Sequence, residues 1–184
     1  MAEDLRVQRT KKAIKTAFIE LVNEEGFAEV TIKGRKEKAI INRQTFYNYY
    51  QDKYDLTEQL NDEYLEILKK VIQYRVRELK DTDRTLPFMS DFYKSKYFTD
   101  VLANREAIMA LMSIQYNQNS FKDRLRKLFI DIIQEQLSIE FTDLDIAVIG
   151  SFYISMISFI AKNNVKPTEQ DLAALRKLVL MVMQ

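Results

Sequence analysis

The chain has 184 residues, 47% of them hydrophobic, with 28 Lys and Arg against 27 Asp and Glu. It contains neither Cys nor His, which removes thiol nucleophiles, imidazole bases, disulfides and Cys/His zinc sites together. Three Gly and two Pro are too few for the frequent turns of a sheet-rich fold and favour long helices.

The length suits one compact unit or two small ones. The opening Met-Ala-Glu-Asp-Leu-Arg has no apolar leader core. The longest apolar run, Ile146 to Ala161, is interrupted by Gly150 and serines and is short for a bilayer span. With the lack of Cys, which suits a reducing compartment, the expectation is a cytoplasmic protein. Charge is divided unevenly. Residues 1–54 hold eleven Lys/Arg against eight Asp/Glu, and residues 55–184 hold seventeen against nineteen. The N-terminal part is the one suited to an anionic partner.

In chain order, a first helix is expected from about Asp4 to Glu25, on a stripe of Ile14, Phe18, Leu21 and Val22. Gly26 suits the left-handed position that ends it, with Phe27 folding back. Thr31 reads as the N-cap of a short second helix to about Ala39, and Ile40-Ile41 as a tight connection. Asn42 caps a third helix, Arg43 to about Tyr49. Asp52 caps a fourth that continues to about Leu79 on Leu56, Leu60, Tyr64, Ile67 and Val71. Further helices are expected near 86–102, 104–116, 120–138, 143–162 and 168–183. Thr142 with Asp145 and Thr168 with Asp171 open the last two in the manner of capping boxes.

The stretch Asn42 to Leu56 is unusual for a purely structural helix. Arg43, Gln44, Thr45, Tyr47 and Asn48 fall within two turns, and all donate hydrogen bonds. Arg and Gln suit bidentate contacts with guanine and adenine edges, and Thr and Tyr hydroxyls suit phosphate oxygens. Phe46 is the apolar anchor, Tyr50 is expected inward, and Tyr49 is open between the two. Lys53 stands in the first turn of the fourth helix, where a cation opposes the helix dipole. A phosphate facing it would explain the placement.

With these motifs in place, the stretch from about Lys11 to Leu56 resembles the DNA-binding domain of the TetR family. Gly26-Phe27, Thr31, Thr45-Phe46-Tyr47 and Asp52-Lys53 carry the resemblance. It implies an all-α, TetR-like fold. Residues 1–54 would form a three-helix helix-turn-helix DNA-binding domain, and residues 55–184 a helical ligand-binding and dimerisation domain. It further implies a homodimeric transcriptional regulator, a repressor, on a palindromic operator under a small-molecule effector. Thr31 and Tyr47 would contact phosphate, and Arg43, Gln44 and Thr45, with Tyr49 nearby, would face bases or backbone. Lys53 would hold phosphate, and Arg9 and Lys11 would reach backbone from the first helix. One region departs from the pattern: Gly34, Arg35 and Lys36 stand where the family's second helix buries Ile and Ala. That departure motivates the alternative, a TetR-like co-regulator that has lost or altered direct DNA binding and works through protein contacts.

In the C-terminal region, Phe92, Tyr93, Met109, Met112, Tyr116, Phe129, Tyr153 and Met156 are candidates to line an effector cavity, with ordinary core packing as the other reading. Gly150, Ser151 and Ser155, with Leu172, Leu175 and Val179 on the final helix, are candidates for a dimer interface. No cofactor or metal is expected. A carboxylate enzyme would need paired acids facing each other in a core, and the Glu-x-x-His pairs of helical metal sites are excluded by composition.

Overall fold

A computed structural model describes residues 5–31, 43–81, 96–117, 119–137, 140, 142–165, 168, 170, 171, 173, 174, 177 and 181. The fold is all-α: seven helices and no strand occur among the described residues. They are α1 (Leu5–Glu25), α2 (Arg43–Tyr47), α3 (Lys53–Asp81), α4 (Lys96–Ala103), α5 (Arg105–Ser113), α6 (Phe121–Leu137) and α7 (Asp143–Asn163). Residues 170, 171, 173, 174, 177 and 181 are helical as well, at the place of the expected last helix. The expected second helix beyond Thr31, with Gly34, Arg35 and Lys36, lies outside the described residues, as do Ile40, Ile41 and Asn42.

The first helix forms for the reasons its sequence suggests. Ile14, Ala17, Phe18 and Val22 recur every three or four residues and are buried, each large one contributing about 1.5–3 kcal/mol. Gly26 ends it with φ of 84°, a conformation a Cβ resists. Its N–H donates to the Val22 carbonyl at 3.0 Å. The Phe27 ring turns back edge-on to Phe18, with centroids 6.3 Å apart.

Asp52 caps α3 by accepting from the Tyr54 and Asp55 N–H groups at 2.8 and 2.9 Å. The Asp55 carboxylate returns the favour, accepting from the Gln51 N–H at 2.8 Å. Two N–H groups that the helix leaves without partners, and one just before it, are thereby satisfied.

The chain packs into two compact units. The first comprises Met1–Tyr64 with Glu106–Phe121, the second Leu65–Arg105 with Lys122–Gln184. In the first unit Phe18, Phe46, Leu56 and Leu60 are buried, together with Ile108, Leu111 and Phe121 from the later segment. The Asn23 side-chain amide donates to the Glu106 carbonyl at 3.0 Å, and Lys15 pairs with Glu63. In the second unit the core is made by Leu68 and Ile72 of α3, Phe98 and Val101 of α4, Leu125 and Ile133 of α6, and Ile154 and Ile157 of α7; α4 packs on α7.

Thr142 and Asp145 form the expected capping box at the start of α7, and Thr168 and Asp171 make the same hydrogen bonds farther on. As a helix, α7 is longer than the apolar run read from sequence. It is the one described helix long and apolar enough to cross a membrane by length and composition.

Candidate nucleic-acid interface

From Arg43 to Tyr50, exposure follows the helical period. Arg43, Gln44, Tyr47 and Asn48 are exposed, Phe46 and Tyr50 are buried, and Thr45 and Tyr49 lie between. The four exposed side chains stand at i, i+1, i+4 and i+5 and so share one face. The buried pair holds that face outward, with the Phe46 and Tyr50 rings 5.5 Å apart. Phe46 also meets the Tyr47 ring edge-on at 5.6 Å. Tyr47, 46% exposed, lies with its ring 5.4 Å from the Arg43 guanidinium. A cation over a ring face is attracted to it, which limits the wandering of a long side chain before any ligand arrives.

The flank of this face is basic. From Leu5 to Ile19, α1 carries Arg6, Arg9, Lys11, Lys12 and Lys15 and no carboxylate. Arg9 and Lys12 are exposed, and Lys11 places its ammonium 5.9 Å from the centre of the Tyr49 ring. That contact brings the basic half of α1 beside the end of α2. The stretch Arg43–Gln51 has no carboxylate either. The assembled surface therefore offers cations and hydrogen-bond donors, with Lys15 paired to Glu63 at its edge, and cations with donors are the composition that favours polyanions. Thr31 is exposed and outside any helix. Asn48, which sequence reasoning grouped with the donors but gave no role, joins the exposed face.

Lys53, expected to hold phosphate, has its ammonium engaged within the protein. Its ammonium donates to the carbonyls of Phe27 at 2.9 Å, Ala28 at 3.3 Å and Val30 at 3.0 Å. It also sits 4.5 Å from the centre of the Phe27 ring. An ammonium has three protons, and the three carbonyls take them. The cation at a helix N-terminus thus finds its compensation in the turn that leaves α1, and it fixes that turn ahead of Thr31. Periodicity carries no sign of this, because the partners are backbone carbonyls more than twenty positions away.

The candidate effector residues divide between the units. In the first, Met112 is buried and Met109 half-buried. Tyr116 stacks on Phe27 at 5.4 Å, meets Tyr54 edge-on at 5.0 Å, and donates a hydrogen bond to the Glu58 carboxylate. Its described neighbours are the Phe27 and Tyr54 rings and the Glu58 carboxylate. In the second unit Phe129 and Tyr153 stack at 3.9 Å with ring planes 7° apart, and Met156 is half-buried. The Tyr153 hydroxyl is buried without a hydrogen-bond partner among the described residues. Burial pushes its phenol well above the usual tyrosine range, against an opposing pull from Arg75. Phe92 and Tyr93 lie outside the described residues.

Of the candidate dimer residues, Ser151 and Ser155 are exposed. Gly150 is instead buried within its own unit. A Cβ there would stand 2.5 Å from Cγ of Arg126, so the close approach that glycine permits is already used by that side chain. Leu172, Leu175 and Val179 lie outside the described side chains. No cluster of three or more acidic residues able to hold a metal occurs among the described residues.

No protein-family model matches the chain. No curated protein matches it, and no solved structure does so either.

Proposed function

We propose that the chain is a DNA-binding transcriptional regulator of the TetR type, acting as a homodimeric repressor on a palindromic site under control of an effector held by its helical body. The observation that supports this reading most is the outward face of α2. Arg43, Gln44, Tyr47 and Asn48 share it, buried Phe46 and Tyr50 anchor it, and the carboxylate-free half of α1 lies at its flank. In this reading Arg43 and Gln44 read base edges in a major groove, as their bidentate donors suit guanine and adenine. Tyr47 and the α1 cations hold phosphates and set the register. Lys53 acts one step back, holding the turn before Thr31 rather than the DNA.

Titration of DNA affinity against salt tests the assignment. Arg9→Ala should lower the slope of log affinity on log salt by about one unit while leaving sequence preference alone. Arg43→Ala should cost about 1–3 kcal/mol on the preferred site and relax preference at one base position. An Arg43→Ala variant with the parent's affinity and preference would remove α2 from the interface. Two heads on one protein place half-sites about one helical turn apart, which a palindrome of that spacing would mirror.

A further inference from the structure

One buried donor in the second unit is left over by the packing around it. Helices α6 and α7 meet in register there. The Arg126 stem lies over Gly150, and one turn on the Phe129 ring stacks on that of Tyr153, with centroids 3.9 Å apart. The stack holds the phenol in place, yet its hydroxyl is buried without a hydrogen-bond partner among the described residues. Native interiors pair nearly all such groups, so an orphan calls for a reason. Phenylalanine would stack as well without it. Arg75 of α3, beside buried Ile72 and Val76, is close enough for its charge to act on the phenol.

We infer that the Tyr153 hydroxyl and the Arg75 guanidinium together bind the carboxylate of a small acid with an apolar body, the phenol donating to one oxygen and the guanidinium pairing with the charge. Burial keeps the phenol protonated, so it acts as a donor and suits an acceptor, not a cation. Arg75 supplies the opposite charge that an anion needs in a partly buried place. One cation and one neutral donor match a single negative charge, whereas a phosphate dianion would need more. The body of the acid has apolar company in the Phe129–Tyr153 stack and in Met156, one turn beyond Tyr153 on the same side of α7. Arg75, Phe129, Tyr153 and Met156 are each half-buried, so the group is not sealed from solvent although the hydroxyl itself is deep.

The hydroxyl then trades stability for binding. A buried donor without an acceptor weakens the ligand-free protein, and a ligand that accepts from it recovers the loss on binding. The inference deepens the proposed function by giving its effector a chemical class. It rests on that reading only for the word effector, since the site binds its acid whether or not the chain binds DNA.

Isothermal titration of the full chain with benzoate, phenylacetate and octanoate, each against its own amide, tests the class. At least one acid should bind about ten-fold more tightly than its amide, because hydrogen bonds to a charged group are the stronger ones. Tyr153→Phe should weaken that acid about ten-fold, the loss of one such bond, with a Tm no lower than the parent's. Arg75→Gln should weaken it similarly. Arg77→Gln, which removes an exposed charge two positions on, should not. A merely structural Tyr153 would leave the affinity of a folded Tyr153→Phe variant unchanged. That result, acids that all bind no better than their amides, or equal losses in Arg75→Gln and Arg77→Gln would each overturn the site. An acid that binds as expected and leaves DNA affinity unaltered keeps the site and fails the effector part of the proposed function.

Discussion

Replacing Lys53 with Met keeps much of the side chain's apolar stem and removes its charge. Three hydrogen bonds are lost, to the carbonyls of Phe27, Ala28 and Val30. The Ala28 carbonyl is at an exposed contact, so water replaces the ammonium there at little cost. The other two contacts are part-buried, and about 1–1.5 kcal/mol each is a reasonable loss for charge-assisted bonds that water replaces incompletely. The contact with the Phe27 ring adds about 0.5–1 kcal/mol. The sum is about 3 kcal/mol. In a chain of this size it lowers Tm by about 6–12 °C if unfolding is a single transition. Denaturant unfolding and calorimetry of Lys53→Met against the parent measure it. In parallel, the salt slope of DNA binding should not change, since no phosphate contact is removed. Unchanged stability with a slope flattened by about one unit would place the ammonium on phosphate and refute the clamp.

Other consequences follow from single contacts. The Asp145 carboxyl is held below the ordinary aspartate range, first by the Thr142 hydroxyl and then by the Thr142 N–H. A depressed folded value stabilises the fold above the ordinary range, and that contribution is lost as pH falls through the folded value. NMR titration should therefore find Asp145 low in the parent and close to ordinary in Thr142→Ala; an unmoved value would mean that the capping box is not formed in solution. Tyr153→Phe removes a buried hydroxyl that has no hydrogen-bond partner among the described residues, so stability should hold or rise by about 1 kcal/mol. A loss beyond that size would reveal a partner for the hydroxyl. The raised phenol value has its own sign: the stability of the buried neutral phenol is fully present below the ordinary tyrosine range and is lost as pH rises from that range toward the folded value. Tyr153→Phe should then unfold less readily in alkali than the parent.

Local signals were read well from sequence. Gly26 ends α1 in the left-handed region because the residue type and the apolar stripe before it point to the same place. Asp52 and Thr142 cap their helices because capping is a contact between residues two or three apart. Arg43 to Tyr50 shows the expected inward and outward pattern for the same reason. Long-range partners were not readable. The segment Glu106–Phe121 joins the first unit through the Tyr116, Phe27 and Tyr54 rings and the Asn23 contact with Glu106, none of which leaves a period in the chain. The freedom of Gly150 to be approached is visible in sequence and points to a contact between copies, while the identity of the approaching group, Arg126, is not visible there. Lys53 has partners of the same long-range kind. Its unfavourable position relative to the helix dipole signals a need for electron-rich partners, and the carbonyls of Phe27, Ala28 and Val30 that supply them lie too far along the chain to be read from spacing.

The most direct measurement of DNA recognition is selection from a random double-stranded library by the full chain at near-physiological salt, followed by sequencing of the retained pool. Enrichment of a two-fold-symmetric site is expected, with half-sites about 10 base pairs apart and a preference at one position in each half that weakens in Arg43→Ala. A pool that stays random, or that is retained equally by the parent and the Arg43→Ala variant, would contradict recognition of DNA by the outward face of α2.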